Sequence, residues 1–211
     1  MTSTRFLLAA AALTLSAGAH VAAQSTAMTV RPESKVTLSG SSNVHDWSCK
    51  SSAFEAVIEL DSSYQTHPMT ELKKPITKIA VTIPVKSLKC GKGKMDDNMY
   101  KALQAEQYPT IRYVLDTYEV DASLTTADRF AAHTIGQITV AGKSNRVEIP
   151  ITAVRGENGS MTGEGLLRMR MTDFGIKPPV ALLGTLRTKN EIDVSFKVLL
   201  EKGVVVALTQ Q

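Results

Sequence analysis

Aromatic residues are scarce, at 5% of the 211-residue chain with a single tryptophan, so the ring platforms that bind single-stranded nucleic acid are poorly supplied. An excess of one charge is also missing. The 24 Lys and Arg stand against 20 Asp and Glu, interspersed rather than gathered in a basic block, and nucleic acid is therefore not an expected partner. There are only two cysteines, Cys49 and Cys90, far apart and without C-x-x-C spacing, which excludes a disulfide-dense scaffold and a cysteine-rich zinc module. No apolar run reaches the roughly 20 residues of a stable membrane-spanning helix, so no transmembrane anchor is expected. Fixed-period repeats are absent, which excludes solenoid and coiled-coil architectures.

What is present is a well-supplied apolar fraction, 43% of residues spread along the chain, enough for the core of one domain. The first 23 residues stand apart: Arg5 begins them, Phe6 to Leu15 form a short apolar stretch, and Val21-Ala22-Ala23 are small residues before Gln24. This pattern predicts a secretory signal peptide over 1–23, cleaved near Ala23. No cysteine follows it to accept a lipid. Loss of Arg5 lowers the net charge of +4 by one. The mature protein is expected in the periplasm or secreted, where an even cysteine count predicts a Cys49–Cys90 disulfide.

Beyond residue 34 the dominant hydrophobic period is two. Phe54, Ala56, Ile58 and Leu60 alternate with Glu55, Val57 and Glu59, and Ile79, Val81, Ile83 and Val85 repeat the pattern. Further runs centre on Ile111, Tyr113 and Leu115, on Val147 to Ala153, and on Ile192 to Leu200; less regular strands fit Lys35–Gly40, Thr134–Val140 and Gly165–Met171. Such runs are half-buried strands. About eight antiparallel strands result, with turns at 141–145 and 156–160. Period alone leaves a sandwich and a closed barrel open, although closure would remove the exposed edges. Val57, Val114 and Leu199 break the alternation, and some outer positions are therefore expected to be covered.

One segment has helical spacing. Met95, Met99 and Leu103 fall at i, i+4 and i+8, Asp96 and Asp97 are placed in the first turn, and Pro109 follows. An amphipathic helix over Met95–Gln107 is predicted, either as a fixed cap on the core or as a lid.

No motif assembles a reaction. His45 stands beside Asp46, but neighbours on a strand point to opposite faces, and His67 and His133 show no ligand spacing to His45, so no metal site is expected. Gly91-Lys92-Gly93-Lys94 lacks the spacing of a phosphate loop. Asp173-Phe174-Gly175 has the letters of a kinase tripeptide without its companions; Gly175, Pro178 and Pro179 instead end a strand and extend the connection after it.

Several of these pieces in their order are similar to a known family: Ser42-Asn43-Val44-His45-Asp46-Trp47, the segment Met95 to Leu103, Tyr108-Pro109-Thr110-Ile111, Gly136 to Gly142, and Asp173 to Pro179. Together they resemble the YceI-like polyisoprenoid-binding family, over essentially the whole mature chain, with the domain placed at 34–202. The resemblance implies an all-β fold, an extended eight-stranded antiparallel lipocalin-like barrel with a short helix between strands. It also implies a bound polyisoprenoid of quinone or prenyl-phosphate type, or another long-chain lipid, with no further cofactor and no enzymatic centre. The two cysteines are not part of that pattern.

Taking the apolar phase of each strand as inward, Phe54, Ile58, Ile83, Ile111, Tyr113, Val194 and Phe196 are expected to line the barrel. Met95, Met99 and Leu103 are expected to face the ligand beside its entry, with His45, Trp47 and Phe174 near the barrel. A carrier or sensor role leads. A secreted enzyme acting near His45 and Asp46, a filled-barrel stress-response interaction protein, and association into a homodimer are left open by the sequence.

Overall fold

The computed structural model describes residues 25–181 and 184–203; the expected leader, 1–23, lies outside the described residues. The strands are β1 (Ser25–Val30), β2 (Lys35–Ser42), β3 (Asp46–Ser51), β4 (Glu55–Asp61), β5 (Ile76–Pro84), β6 (Thr110–Val120), β7 (Arg129–Val140), β8 (Lys143–Arg155), β9 (Met161–Arg170), β10 (Val180–Ala181) and β11 (Leu186–Lys202). One helix, α1 (Gly93–Ala102), joins β5 to β6.

Pairing is antiparallel throughout and closes on itself. β11 pairs with β9 on one side, and on the other with β2 and then β1, from Thr188↔Ser42 to Met28↔Lys202. β2 and β1 are thus successive halves of one stave. β3 and β4 form the next, paired as Ser41↔Asp46 and Val36↔Ser51 above and Met28↔Ile58 and Ser25↔Asp61 below. With β5, β6, β7, β8, β9 and β11 these make a closed eight-stave barrel. Closure leaves few unpaired edges, and eight staves enclose a lumen wide enough for one slender ligand.

β1 was not expected. Its inward positions include Thr26, buried at 4% exposure and held by the Ser62 hydroxyl at 3.0 Å, so an inward polar residue interrupts the apolar phase that sequence reading relies on. β5 ends at Pro84 and not at Val85, which turns inward in a single 3-10 turn. The β7–β8 connection is a two-residue hairpin, Ala141-Gly142, with φ of 47° and 74°, a turn whose positive dihedrals match the strand twist. The Asp173 segment is not extended at its start: Met171–Phe174 forms a 3-10 turn, closed by Gly175 at φ 71°.

The helix is shorter than expected, ending at Ala102 because Gln104 adopts φ 52°. Only Asp96 lies in its first turn, where its carboxylate accepts the Cys90 N–H at 2.7 Å. The outer apolar positions also depart from expectation. Val57 and Val114 are exposed at 48% and 37% and flank Ala80 in one row across β4, β5 and β6, with no element packed over them. Leu199 is half-buried.

The far end of the barrel is plugged. Tyr64, Met69 and Phe130 are at most 2% exposed, Tyr64 donates to the Gly159 carbonyl at 3.0 Å, and Tyr118 meets Phe130 edge-on at 6.1 Å. The Tyr118 oxygen accepts the Ile76 N–H at 2.8 Å. Burial pushes its phenol up to about 12, outweighing that hydrogen bond.

Candidate ligand-binding site

The inward residues of the staves surround two adjoining chambers. The lower one, about 180 Å³, takes its walls from Phe54, Ile58, Tyr113 and Phe196 and its floor from Tyr64, Met69 and Phe130. The upper one, about 390 Å³, lies under α1 and is bounded by His45, Trp47, Met95, Met99, Leu103 and Phe174. Val36, Ile83, Ile111, Ile138 and Val194 border both, so the two adjoin inside the barrel. The upper chamber falls within the range of small-molecule sites, and the lower one is smaller. Every residue singled out from the sequence as a binding candidate borders one or other chamber.

Glycines that sequence reading missed make room for the rings inside the barrel. Gly165 pairs with Phe196 across β9 and β11, and a Cβ there would lie 2.4 Å from the Phe196 Cζ. Gly40 pairs with Trp47 and would place a Cβ 2.5 Å from its Cζ2. Gly136 stands beneath Tyr113, 2.7 Å from the phenol oxygen by the same measure. Each ring is seated against a wall position that carries no side chain. The signal in the sequence was a glycine in the inward phase of a strand, where close approach of another group is its usual reason.

Polar groups concentrate at the α1 end. Ser42, His45, Lys92, Lys94, Asn98 and Thr188 border the upper chamber, whereas the lower chamber is lined almost wholly by apolar side chains. The Trp47 indole N–H and Tyr113 hydroxyl are buried without a hydrogen-bond partner, an arrangement that costs about 1–3 kcal/mol per group. Burial also raises the Tyr113 phenol above its ordinary value.

α1 is fastened unequally. Cys49 and Cys90 are joined by a disulfide, and Lys50 and Lys89 exchange backbone hydrogen bonds of 2.8 and 2.9 Å beside it. The Tyr100 hydroxyl reaches the Leu88 carbonyl at 2.8 Å, and Leu103 is buried. Between these anchors Gly91, at φ 80°, and Gly93 have open space around them. The amino-terminal turn of the helix, with Met95 and Asn98 bordering the upper chamber, is tied back by the Asp96 bond to the Cys90 N–H.

The His45 and Asp46 pair does not form a catalytic dyad. The His45 Nδ1 lies 3.0 Å from the Asp46 backbone carbonyl, not its carboxylate, and both residues are exposed. His67 and His133 have partners elsewhere, Thr66 and Glu148. Among the described residues no group of three or more His, Cys, Asp or Glu is gathered as a metal would require.

A sequence profile of the YceI-like domain matches residues 21–200. The chain belongs to the YceI-like family. Solved structures with the same barrel include BcnA of Burkholderia cenocepacia, with a TM-score of 0.65 and 18% identity, covering 81% of this chain and 99% of that one. The YceI protein of Campylobacter jejuni gives a TM-score of 0.55 at 18% identity, covering 72% and 82%. A polyisoprenoid-binding domain from Saccharophagus degradans, implicated in plant cell wall breakdown, gives 0.62 at 11% identity, covering 84% and 99%. At these identities the neighbours establish the fold of this YceI-like chain. No curated protein matches it significantly. Among the described residues no helix is long and apolar enough to cross a membrane.

Proposed function

We propose that this YceI-like protein is a lipid-binding carrier or sensor that holds a polyisoprenoid, or a similar single-chain amphiphile, in its barrel. The observation that carries the reading is the pair of adjoining apolar chambers, floored by Tyr64, Met69 and Phe130 and polar only at the α1 end; in this reading they serve as one tunnel. A chain whose tail lies below and whose head group lies above matches that gradient. A cavity the size of the lower chamber, about 180 Å³, costs about 4 kcal/mol at roughly 24 cal/mol per Å³. A purely structural barrel gains nothing from such a void, whereas a bound tail repays it by removing apolar surface from water.

The polyisoprenoid-binding domain of Saccharophagus degradans, which shares the barrel, supports an isoprenoid as the ligand class. The absence of a dyad at His45 favours binding over catalysis. Export is part of the proposal, supported by the leader-like residues 1–23 and by the disulfide, which persists in oxidising compartments. The ligand enters beside the amino-terminal turn of α1, where Met95 and Met99 repack around a flexible chain.

Organic-solvent extraction of the purified native protein, followed by mass spectrometry, tests the reading. About one prenyl lipid per chain is expected. Extracts holding no long-chain lipid, from protein that also fails to take one up when offered, would overturn it.

A further inference from the structure

The rim around the upper chamber combines exposed apolar and basic side chains. Val44 and Val180 are the most exposed large apolar side chains among the described residues, at 66% and 59%. Both attach to the same point. Asn43, beside Val44, exchanges hydrogen bonds with Arg187, its N–H reaching the Arg187 carbonyl at 3.1 Å and its Oδ1 accepting the Arg187 N–H at 2.8 Å. Val180 pairs with Arg187 across β10 and β11. The two valines therefore flank one arginine on a braced platform.

Basic side chains complete the rim. Lys92 and Lys94, at the start of α1, border the same chamber as His45, Pro179 and Leu186, and Lys177 precedes β10. These lysines and Arg187 are exposed, and none is among the ion pairs of the described residues. The nearby carboxylates are engaged in part: Asp96 accepts the Cys90 N–H, and Asp173 pairs with Arg170 at 3.1 Å. Asp46 and Asp97 remain. At the opposite end Leu124 is also exposed, but Asp121 and Asp128 are its neighbours in sequence.

We infer that the rim formed by Val44, Val180, Arg187, Lys92, Lys94 and Lys177 docks on a membrane surface bearing anionic phospholipid. The inference rests on the carrier reading above, because a ligand insoluble in water is loaded most directly where the tunnel opens onto the leaflet that holds it. Ammonium and guanidinium groups without carboxylate partners complement the negative surface. The two valines enter the interfacial region, and isolated exposed apolar residues elsewhere need no such explanation.

Flotation with vesicles of phosphatidylcholine, with and without phosphatidylglycerol, tests the docking. Binding is expected only with the anionic lipid and is expected to weaken in high salt. Lys92→Gln with Lys94→Gln should lower it about 30-fold, at about 1 kcal/mol per lysine, and V44D with V180D should lower it further. The same preparations are offered a fluorescent prenyl analogue from detergent solution. Uptake of the analogue without vesicle binding overturns the docking surface and leaves the carrier reading standing. Vesicle binding without uptake supports the surface and overturns the carrier reading. Equal binding to neutral and anionic vesicles, or transfer that needs only an acceptor protein, overturns the docking surface.

Discussion

Replacing Gly165 with alanine is the most direct mechanical test of how the tunnel is kept open. The new Cβ would stand 2.4 Å from the Phe196 Cζ, 2.8 Å from its Cε1 and 3.0 Å from the Pro150 carbonyl oxygen. Ordinary contact begins near 3.4 Å, so the ring must withdraw by about 1 Å. The backbone of Pro150 does not yield readily, and the wall of β9 and β11 blocks outward movement, which leaves only the lower chamber. Overpacking of this kind costs about 1–3 kcal/mol. Alanine recovers about 0.5–1 kcal/mol of backbone entropy relative to glycine. A net loss of roughly 0.5–2 kcal/mol in urea unfolding is expected, together with weaker uptake of a fluorescent prenyl analogue. Phe196→Leu removes the Cζ that meets the new methyl, so the double variant should be more stable than the sum of the singles by about 1 kcal/mol. Strict additivity, with analogue uptake unchanged in Gly165→Ala, would refute the glycine-floor argument.

The remaining expectations concern the ends of the barrel. Replacing both cysteines with alanine opens a loop whose ends are 41 residues apart and should cost roughly 4 kcal/mol in urea unfolding by chain entropy; an unchanged midpoint would contradict it. Phe130→Ala, at a residue 2% exposed, should cost about 3–5 kcal/mol and admit a longer prenyl chain, read by comparing ligand lengths in extracts. Alkaline unfolding follows from Tyr118, whose phenol is held up to about 12 in the folded protein and titrates near 10 when unfolded. The folded state keeps a proton that the unfolded state releases, so stability is full below about pH 10 and falls by up to roughly 2–3 kcal/mol as pH rises to about 12. Tyr118→Phe should flatten that fall.

Much of the fold was legible because it is written in period two. The inward phase from Phe54 to Leu60, or from Ile192 to Leu200, needs only that polar residues face water. Where inward positions are polar or absent, the pattern disappears. Thr26 in β1 hides a strand, because its hydroxyl bonds Ser62 and not a solvent molecule on the outer face. β3 alternates Trp47, Cys49 and Ser51 inward, too mixed a set to register as an apolar phase. The row Val57, Ala80 and Val114 misled in the opposite sense, since apolar outer positions do not by themselves recruit a cover. The wall candidates were legible for the same periodic reason. Gly40, Gly136 and Gly165 were not, because a glycine's role here is defined by a ring on the neighbouring strand, and register is not visible in one sequence.

A long prenyl chain fits only if one tunnel runs through both chambers. Its sharpest measurement is the affinity of a series of linear prenyl alcohols, lengthened one isoprene unit at a time and titrated against the same protein. Affinity is predicted to rise with each added unit until the tail reaches the floor of Tyr64, Met69 and Phe130, and then to level off. Affinity independent of chain length, or absent across the whole series, would contradict a continuous tunnel.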